Sequence, residues 1–143
     1  MKDRKILVPV DFSAQSKAAV EYASAFAKDS DAELLIVHVL DRAIQNLEGI
    51  NPVEALEGLD AALHDVKPTD DSISCSYRML EGPPAESILE IAEEENVEMI
   101  VMGTHGRSGL RRLMMGSVAE AVVRNAKCPV LTLRQPEPNA QKT

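Results

Sequence analysis

Apolar residues in this chain fall into two alternating patterns, short continuous runs and longer segments with helical spacing. The short runs predict five β-strands, at Lys5–Val10, Glu33–Leu40, Ser74–Glu81, Glu98–Met102 and Pro129–Leu133. The run over Glu33–Leu40 is almost wholly apolar, which is typical of a strand covered on both faces. Strands that alternate with helices form a parallel sheet with right-handed crossovers. The sequence therefore predicts a single α/β domain.

The segments between these strands predict four helices with recognisable starts. Helix 1 begins at a Ser13 or Ser16 cap and runs to about Lys28, and helix 2 begins at Asn51-Pro52-Val53-Glu54, which combines an N-cap with an N1 proline. Helix 3 spans Ala85–Glu95 and helix 4 spans Ser117–Asn125. The inward faces are predicted as Ala19, Tyr22, Ala23 and Phe26 in helix 1, Val53, Leu56, Leu59 and Leu63 in helix 2, and Ile88, Leu89 and Ala92 in helix 3.

A glycine-rich loop between strand 4 and helix 4 is the strongest functional signal. It begins at Gly103-Thr104-His105-Gly106-Arg107 and ends at Gly116-Ser117, a spacing of G-x-x-G-x9-G-[ST]. Glycines allow a positive φ and let an anion approach backbone N–H groups. Ser117 is expected to cap the helix, whose N–H groups and dipole attract the same anion. The loop predicts a phosphate site, although a glycine-rich surface loop without a ligand would share this composition.

Other nucleotide-binding loops are excluded by their missing glycines. The turn Val10–Ser13 after strand 1 contains no glycine, so neither the G-x-G-x-x-G fingerprint nor a Ser-Gly-Gly turn is present there. No G-x-x-x-x-G-K-[ST] sequence occurs in the chain. The site is therefore neither a dinucleotide fingerprint nor a P-loop.

The distribution of charge supports a small anionic ligand rather than a nucleic acid. The 143 residues carry a net charge of −8, which argues against nucleic-acid binding. Residues 103–134 nevertheless hold six basic side chains against the single acidic Glu120, a net +5, so the remainder carries −13. Arg107 lies within the loop, whereas Arg124, Lys127 and Arg134 are interpreted as solvated surface charges.

Candidates for catalysis are weak. His38 lies inside a strand and is interpreted as a hydrogen-bonded core or edge residue, His64 ends a helix, and His105 could contact a phosphate or a magnesium-bound water. Cys75 and Cys128 form no C-x-x-C pair and are typical of small buried residues in a reducing cytoplasm. No signal peptide or transmembrane-length run is recognised, so we expect a cytoplasmic protein without a membrane partner.

Several motifs together resemble the universal stress protein family, specifically its ATP-binding branch. They are Ile6–Ser13 (ILVPVDFS), Leu34–Val39 (LLIVHV), Gly82-Pro83-Pro84, the glycine loop and Cys128–Leu131 (CPVL). The resemblance implies a Rossmann-like α/β fold over residues 1–134, an open parallel five-stranded sheet in the order 3-2-1-4-5 with helices on both faces. The polar, proline-bearing segment 135–143 is expected to be a disordered tail.

The same resemblance implies a site for ATP with Mg²⁺ at the carboxyl ends of strands 1, 2 and 4. The implied nucleotide-binding residues are Pro9, Val10, Asp11, Val39, Met102, Gly103, His105, Gly106, Arg107, Gly116, Ser117 and Val118. Asp11 could equally serve to cap helix 1. The function implied is a regulatory nucleotide-dependent module of the stress response that acts on an unknown protein partner. A slow ATP-hydrolysing enzyme is the alternative.

Strand 5 is predicted to form a homodimer or part of a higher oligomer. By the resemblance, Pro129–Leu133 lies at the edge of the sheet, and an apolar edge strand is satisfied when it pairs with another chain. The alternative is that the tail folds back over this edge, but a polar segment with two prolines covers apolar surface poorly.

Overall fold

Five strands and four helices alternate along the chain in the computed structural model, which describes residues 3–40, 48–104 and 115–134. The strands are β1 (Lys5–Pro9), β2 (Glu33–Leu40), β3 (Cys75–Glu81), β4 (Met99–Gly103) and β5 (Val130–Leu133), and the helices are α1 (Ala14–Ser30), α2 (Pro52–His64), α3 (Pro84–Glu94) and α4 (Ser117–Asn125). The loop 105–114 and the tail 135–143 lie outside the described residues.

The strands form one parallel sheet in the order β3-β2-β1-β4-β5, which confirms the α/β fold and the implied strand order. Helices α1 and α2 pack on one face and α3 and α4 on the other. Strand order reverses at β1, because β2 lies on one side of it and β4 on the other. None of the described helices has the length and apolar character needed to cross a membrane.

The core is aliphatic because successive residues of the central strands bury alternate side chains on opposite faces. Ile6 and Val8 of β1 pack towards α1, while Leu7 packs towards α3 and α4. All three are essentially inaccessible to solvent. A strand buried on both faces needs apolar residues at every position, which explains the continuous runs in the sequence.

The prediction for the inward face of helix 1 is wrong for its two aromatic residues. Tyr22 is 57% exposed and Phe26 is 43% exposed, whereas the alanines at 19, 23 and 27 are buried against the sheet. A row of alanines lets α1 lie close to β1 and β4, where rings of this size do not fit. Val53 of α2 is likewise exposed, at 62%.

Candidate functional site

A cavity of about 290 Å³ opens at the carboxyl ends of the strands, at the point where strand order reverses. Ligands of open α/β sheets bind at this position. Nine sequence-predicted site residues line it: Pro9, Val10, Asp11, Val39, Met102, Gly103, Gly116, Ser117 and Val118. The other three, His105, Gly106 and Arg107, lie outside the described residues.

The structure adds lining residues that the sequence analysis did not place in the site. They are Ser13, Ser16, His38, Pro84, Ile88, Thr104 and Ala119. Ser13, Ser16 and Pro84 lie at the starts of helices α1 and α3. The alternating pattern of strands and helices was the available signal for these three, because it brings every such helix start to the same edge of the sheet.

The backbone of Val39 provides a donor and an acceptor at the edge of the cavity. The carbonyl oxygen of Val37 accepts a 2.8 Å hydrogen bond from the Val10 N–H, so the backbone groups of Val37 face β1. Backbone direction repeats every second residue along a strand, and the N–H and C=O of Val39 therefore face the same side. Strand β1 ends at Pro9, which lies opposite Val37. The N–H and C=O of Val39 therefore project past the last residue of β1. No backbone partner within the described residues occupies them.

His38 fixes the turn that follows β1. Its Nδ1 donates to the carbonyl oxygen of Val10 at 2.8 Å, and its ring lies 4.7 Å from the ring of Phe12, centroid to centroid. The interpretation of His38 as a hydrogen-bonded residue is therefore confirmed. Phe12 has a φ of 67°, a left-handed conformation that is unusual for a bulky residue. His38 thus supports a strained turn in the wall of the cavity.

Three helix N-termini meet at this cavity, but they differ in their free donors. Ser13 caps α1 by accepting a hydrogen bond from the Ser16 N–H, and α3 begins at Pro84, which has no N–H. Helices α3 and α4 both lack a side-chain cap, but α3 offers one N–H fewer because it begins with proline. The first-turn N–H groups of α4 have no partner within the helix, so the positive end of its dipole faces the cavity.

The start of α4 corrects two expectations about the glycine loop. The N-cap is Gly116, so Ser117 is the first helical residue and does not cap the helix. The N–H of Gly116 donates to the carbonyl oxygen of Thr104 at 2.7 Å, so it is not one of the backbone N–H groups that an anion could approach. The φ of Gly116 is −65°, a value open to any residue, so this glycine supplies space rather than an unusual backbone conformation.

The charge that the described residues contribute to the cavity comes from Asp11 alone. One carboxylate oxygen of Asp11 accepts a 3.0 Å hydrogen bond from the Ser13 N–H, so this residue braces the start of α1 while it lines the cavity. No lysine or arginine among the described residues lines it. Arg124 and Lys127 are exposed and pair with Glu120 and Glu93, at 2.6 and 2.8 Å, which confirms their interpretation as surface charges.

Within the described ranges, the side chains offer little chemistry beyond binding. No group of three or more histidine, cysteine or acidic residues is arranged to hold a metal ion. Both cysteines are free, and partial burial raises the pKa of the Cys75 and Cys128 thiols, which disfavours the reactive thiolate.

A larger cavity of about 560 Å³ lies on the other side of Ser13, between α1 and the segment that follows α2. Its lining combines the apolar Phe12, Val20 and Val66 with two lysines, Lys17 and Lys67, and two carboxylates, Glu21 and Asp65, and the end of α1 that reaches it is capped. The smaller cavity differs in receiving the uncapped start of α4, and it lies where open α/β sheets bind their ligands.

This architecture is typical of α/β domains that bind a small ligand at the carboxyl edge of a parallel sheet. The profile of the universal stress protein family matches residues 3–134. The chain therefore belongs to the universal stress protein family.

Individual relatives show the same similarity. The chain is 38% identical over 142 residues to the universal stress protein MJ0531 of Methanocaldococcus jannaschii, in an alignment that covers 94% of this chain and 84% of the relative. The solved structure of MJ0577, from the same organism, superposes with a TM-score of 0.81 at 29% identity and covers 96% of this chain and 99% of MJ0577. A universal stress protein solved in complex with cAMP superposes with a TM-score of 0.63 at 26% identity, covering 92% of this chain and 96% of that one.

Proposed function

We propose that this protein is a regulatory module that binds ATP in the cavity between β2, β1 and β4. The observation that carries the proposal is the pair of groups on Val39, one N–H and one C=O, at the edge of an apolar cavity that also receives the uncapped start of α4. The first feature suits the edge of an adenine base and the second suits a phosphate. The similar fold of a family member in complex with cAMP supports an adenine nucleotide.

The Val39 groups predict a preference for adenine over guanine. The Watson–Crick edge of adenine presents an amino donor beside a ring-nitrogen acceptor, which match a C=O and an N–H, respectively. Guanine presents an acceptor and a donor at the same two positions, so both of its groups would face like groups. Each unsatisfied buried group costs about 1–3 kcal/mol. Calorimetry should therefore show GTP binding at least about tenfold more weakly than ATP.

The start of α4 is expected to bind the phosphates, with Arg107 of the glycine loop adding positive charge. Any Mg²⁺ would reach the site on the nucleotide, since the described residues provide no metal cluster. Bound ATP would bring the negative charge of its phosphates into the cavity. In this proposal Val39 orients the base, and the start of α4 and Arg107 neutralise that charge.

Ser117→Pro tests the role of the helix start directly. Proline is tolerated at the first helical position, and Gly116 already has the extended ψ of 159° that a residue before proline requires. The substitution deletes the N–H of Ser117, whereas the control Ser117→Ala deletes only the hydroxyl group. Loss of one hydrogen bond to a charged phosphate, about 1.5–3 kcal/mol, should weaken ATP binding at least about tenfold in the proline variant.

Adenosine provides the second control, since it has no phosphate and should bind both Ser117 variants equally. Equal ATP affinity for the proline and alanine variants would contradict a phosphate site at α4. A wild-type chain that binds neither ATP nor adenosine would overturn the proposal as a whole. Arg107→Ala should weaken ATP more than AMP, by a margin that shrinks with added salt.

We also propose that the protein forms a homodimer through β5. This strand pairs with β4 and has no second neighbour in the described sheet. The carbonyl oxygens of Pro129 and Leu133 accept hydrogen bonds from the β4 side, so the backbone groups of Val130 and Thr132 face the open edge. Two copies of such an edge can pair antiparallel across a two-fold axis.

Thr132→Pro tests this pairing without disturbing the bonds to β4. Proline removes an outward-facing N–H, whereas Leu131 and Leu133 pack against the core and would be poor sites for a charge. Light scattering should show a dimer for the wild type and for the control Thr132→Val, and a monomer for Thr132→Pro. A proline variant that dimerises as tightly as the wild type would exclude β5 pairing.

A further inference from the structure

Exposed apolar side chains border the open edge of β5 on both faces of the sheet. The chain contains four aromatic residues in total, two Tyr and two Phe, and two of these four, Tyr22 and Phe26, are exposed one turn apart on α1. Val123 of α4 is exposed to 45%. Large apolar groups left exposed beside one another mark an interaction surface more often than singly scattered ones do.

The orientation of α1 places its rings on the β5 side. Ser24 accepts a hydrogen bond from the Thr69 N–H, and Lys28 pairs with Asp70, so this flank of the helix faces the segment after α2. At about 100° per residue, Tyr22 and Phe26 lie on the opposite flank. Helix α1 covers β1 and β4 and also reaches β5, so the flank with the two rings overhangs the edge strand.

The orientation of α4 gives the same result on the other face. Asn125 lines a crevice with Leu89 and Ala92 of α3, so that flank of α4 faces α3. Val123 lies about 160° away from Asn125 around the helix, on the flank that faces away from α3. Helix α4 packs on β5, and Val123 therefore borders the same edge.

We infer that these three side chains bind a second copy of this chain, with Tyr22 and Phe26 as the principal anchors. The inference rests on the β5 homodimer proposed above. Antiparallel pairing of two identical edges requires a two-fold axis perpendicular to the sheet, which leaves both α1 helices on the same face. The rings of one protomer then face those of its partner across the axis.

The spacing of strands gives the width available between the two helices. Each α1 is centred between β1 and β4, so the helix axes are about four strand intervals apart, or roughly 19 Å. The Cα atoms of each helix lie about 2.3 Å from its axis, which leaves a gap of roughly 14 Å between the two facing backbones above the paired strands. Four aromatic rings fill a gap of this width, and the leucines of both β5 strands form its floor.

The area required for a stable dimer supports the same arrangement. A specific interface buries about 800 Å² per partner. Strand β5 has four residues, all of them already half-buried within the protomer, and supplies only a part of that area. Aromatic side chains bury about 150–250 Å² each when fully enclosed, and Tyr22 and Phe26 are 57% and 43% exposed in the protomer, so the two rings together add roughly 150–250 Å² per partner.

Sedimentation equilibrium of the variant with both Tyr22→Glu and Phe26→Glu tests the inference. The dimer dissociation constant should rise about 100-fold or more, because two anchor residues are lost from each protomer. Val53→Glu is the control, since Val53 is at least as exposed as the two rings but lies on α2, which packs on β2 and β3. Both changes are on the surface, and circular dichroism should confirm that each variant is folded.

The outcomes separate this inference from the dimer itself. If Thr132→Pro is monomeric while the double variant keeps the wild-type dissociation constant, β5 pairing stands and the role of the rings is overturned. A wild-type monomer overturns both. Equal weakening by Val53→Glu and by the double variant would show a general effect of negative charge and also contradict the inference.

Tyrosine fluorescence provides an independent readout. The chain has no Trp, so Tyr22 is the single strong fluorophore in a Tyr77→Phe variant. Acrylamide should quench it weakly in the dimer and strongly after dilution to the monomer. Protection that persists in the monomer would mean that the chain's own tail covers Tyr22, and would overturn the inference.

Discussion

The left-handed conformation of Phe12 predicts an unusual order of stability among its variants. Phe12 has a φ of 67°, and its ring packs on His38 and on the core cluster of the α1 face. Removing a fully buried phenylalanine ring costs about 3–5 kcal/mol, so Phe12→Ala, at a half-buried position, should cost about 2 kcal/mol. Phe12→Gly loses the same contacts but also loses the Cβ that strains this conformation.

The strain sets the difference between the two variants. A Cβ in the left-handed region costs about 1–2 kcal/mol, while the greater freedom of unfolded glycine costs about 0.5–1 kcal/mol relative to alanine. Phe12→Gly should therefore be more stable than Phe12→Ala by about 0.5–1 kcal/mol, the reverse of the usual order.

Urea unfolding followed by circular dichroism measures this difference. Ala25→Gly is the control, because Ala25 is exposed within α1 and should show the ordinary cost of about 1 kcal/mol. If Phe12→Gly is less stable than Phe12→Ala by about the cost measured for Ala25→Gly, the turn is not strained and the reasoning fails.

Two further predictions concern buried and charged contacts. Ser24→Ala should destabilise the protein by about 1–2 kcal/mol in urea unfolding, because it leaves the Thr69 N–H unpaired, whereas Ser30→Ala, at an exposed end of α1, should have little effect. Asp70→Asn should reduce the loss of stability in acid. The hydrogen bond from Lys28 lowers the pKa of Asp70 in the folded protein. The stability that this carboxylate contributes is therefore present above its pKa in the unfolded chain and is lost as the pH falls through its pKa in the folded protein. A denaturation series from pH 7 to pH 2 that is identical for wild type and Asp70→Asn would contradict this.

Continuous apolar patterns predicted the architecture because a doubly covered sheet imposes them. The bounds of β2, Glu33–Leu40, and of α4, Ser117–Asn125, agree with the structure at both ends. The spacing of apolar residues within the helices was less informative about which side chains are buried. Tyr22 and Phe26 share the spacing of the buried stripe but lie beside it, and only the close approach of α1 to the sheet shows which flank is buried.

The candidate site was only partly visible in the sequence. Glycine spacing indicated the loop, but the hydrogen bond from the Gly116 N–H to Thr104 depends on how the loop returns to the sheet. The exposed backbone groups of Val39 depend on strand register, since β2 continues past the end of β1. Neither feature is encoded by a residue type that a sequence pattern could reveal.

The course of α1 and α4 has a consequence for how such a molecule could respond to its surroundings. Both helices begin at the cavity, and both border the edge of β5. If a bound nucleotide strengthens self-association by some factor, equilibrium linkage requires that self-association strengthen nucleotide binding by the same factor. The amount of this protein in the cell would then act as an effector in its own right, and synthesis of more copies would raise the nucleotide occupancy of every copy already present.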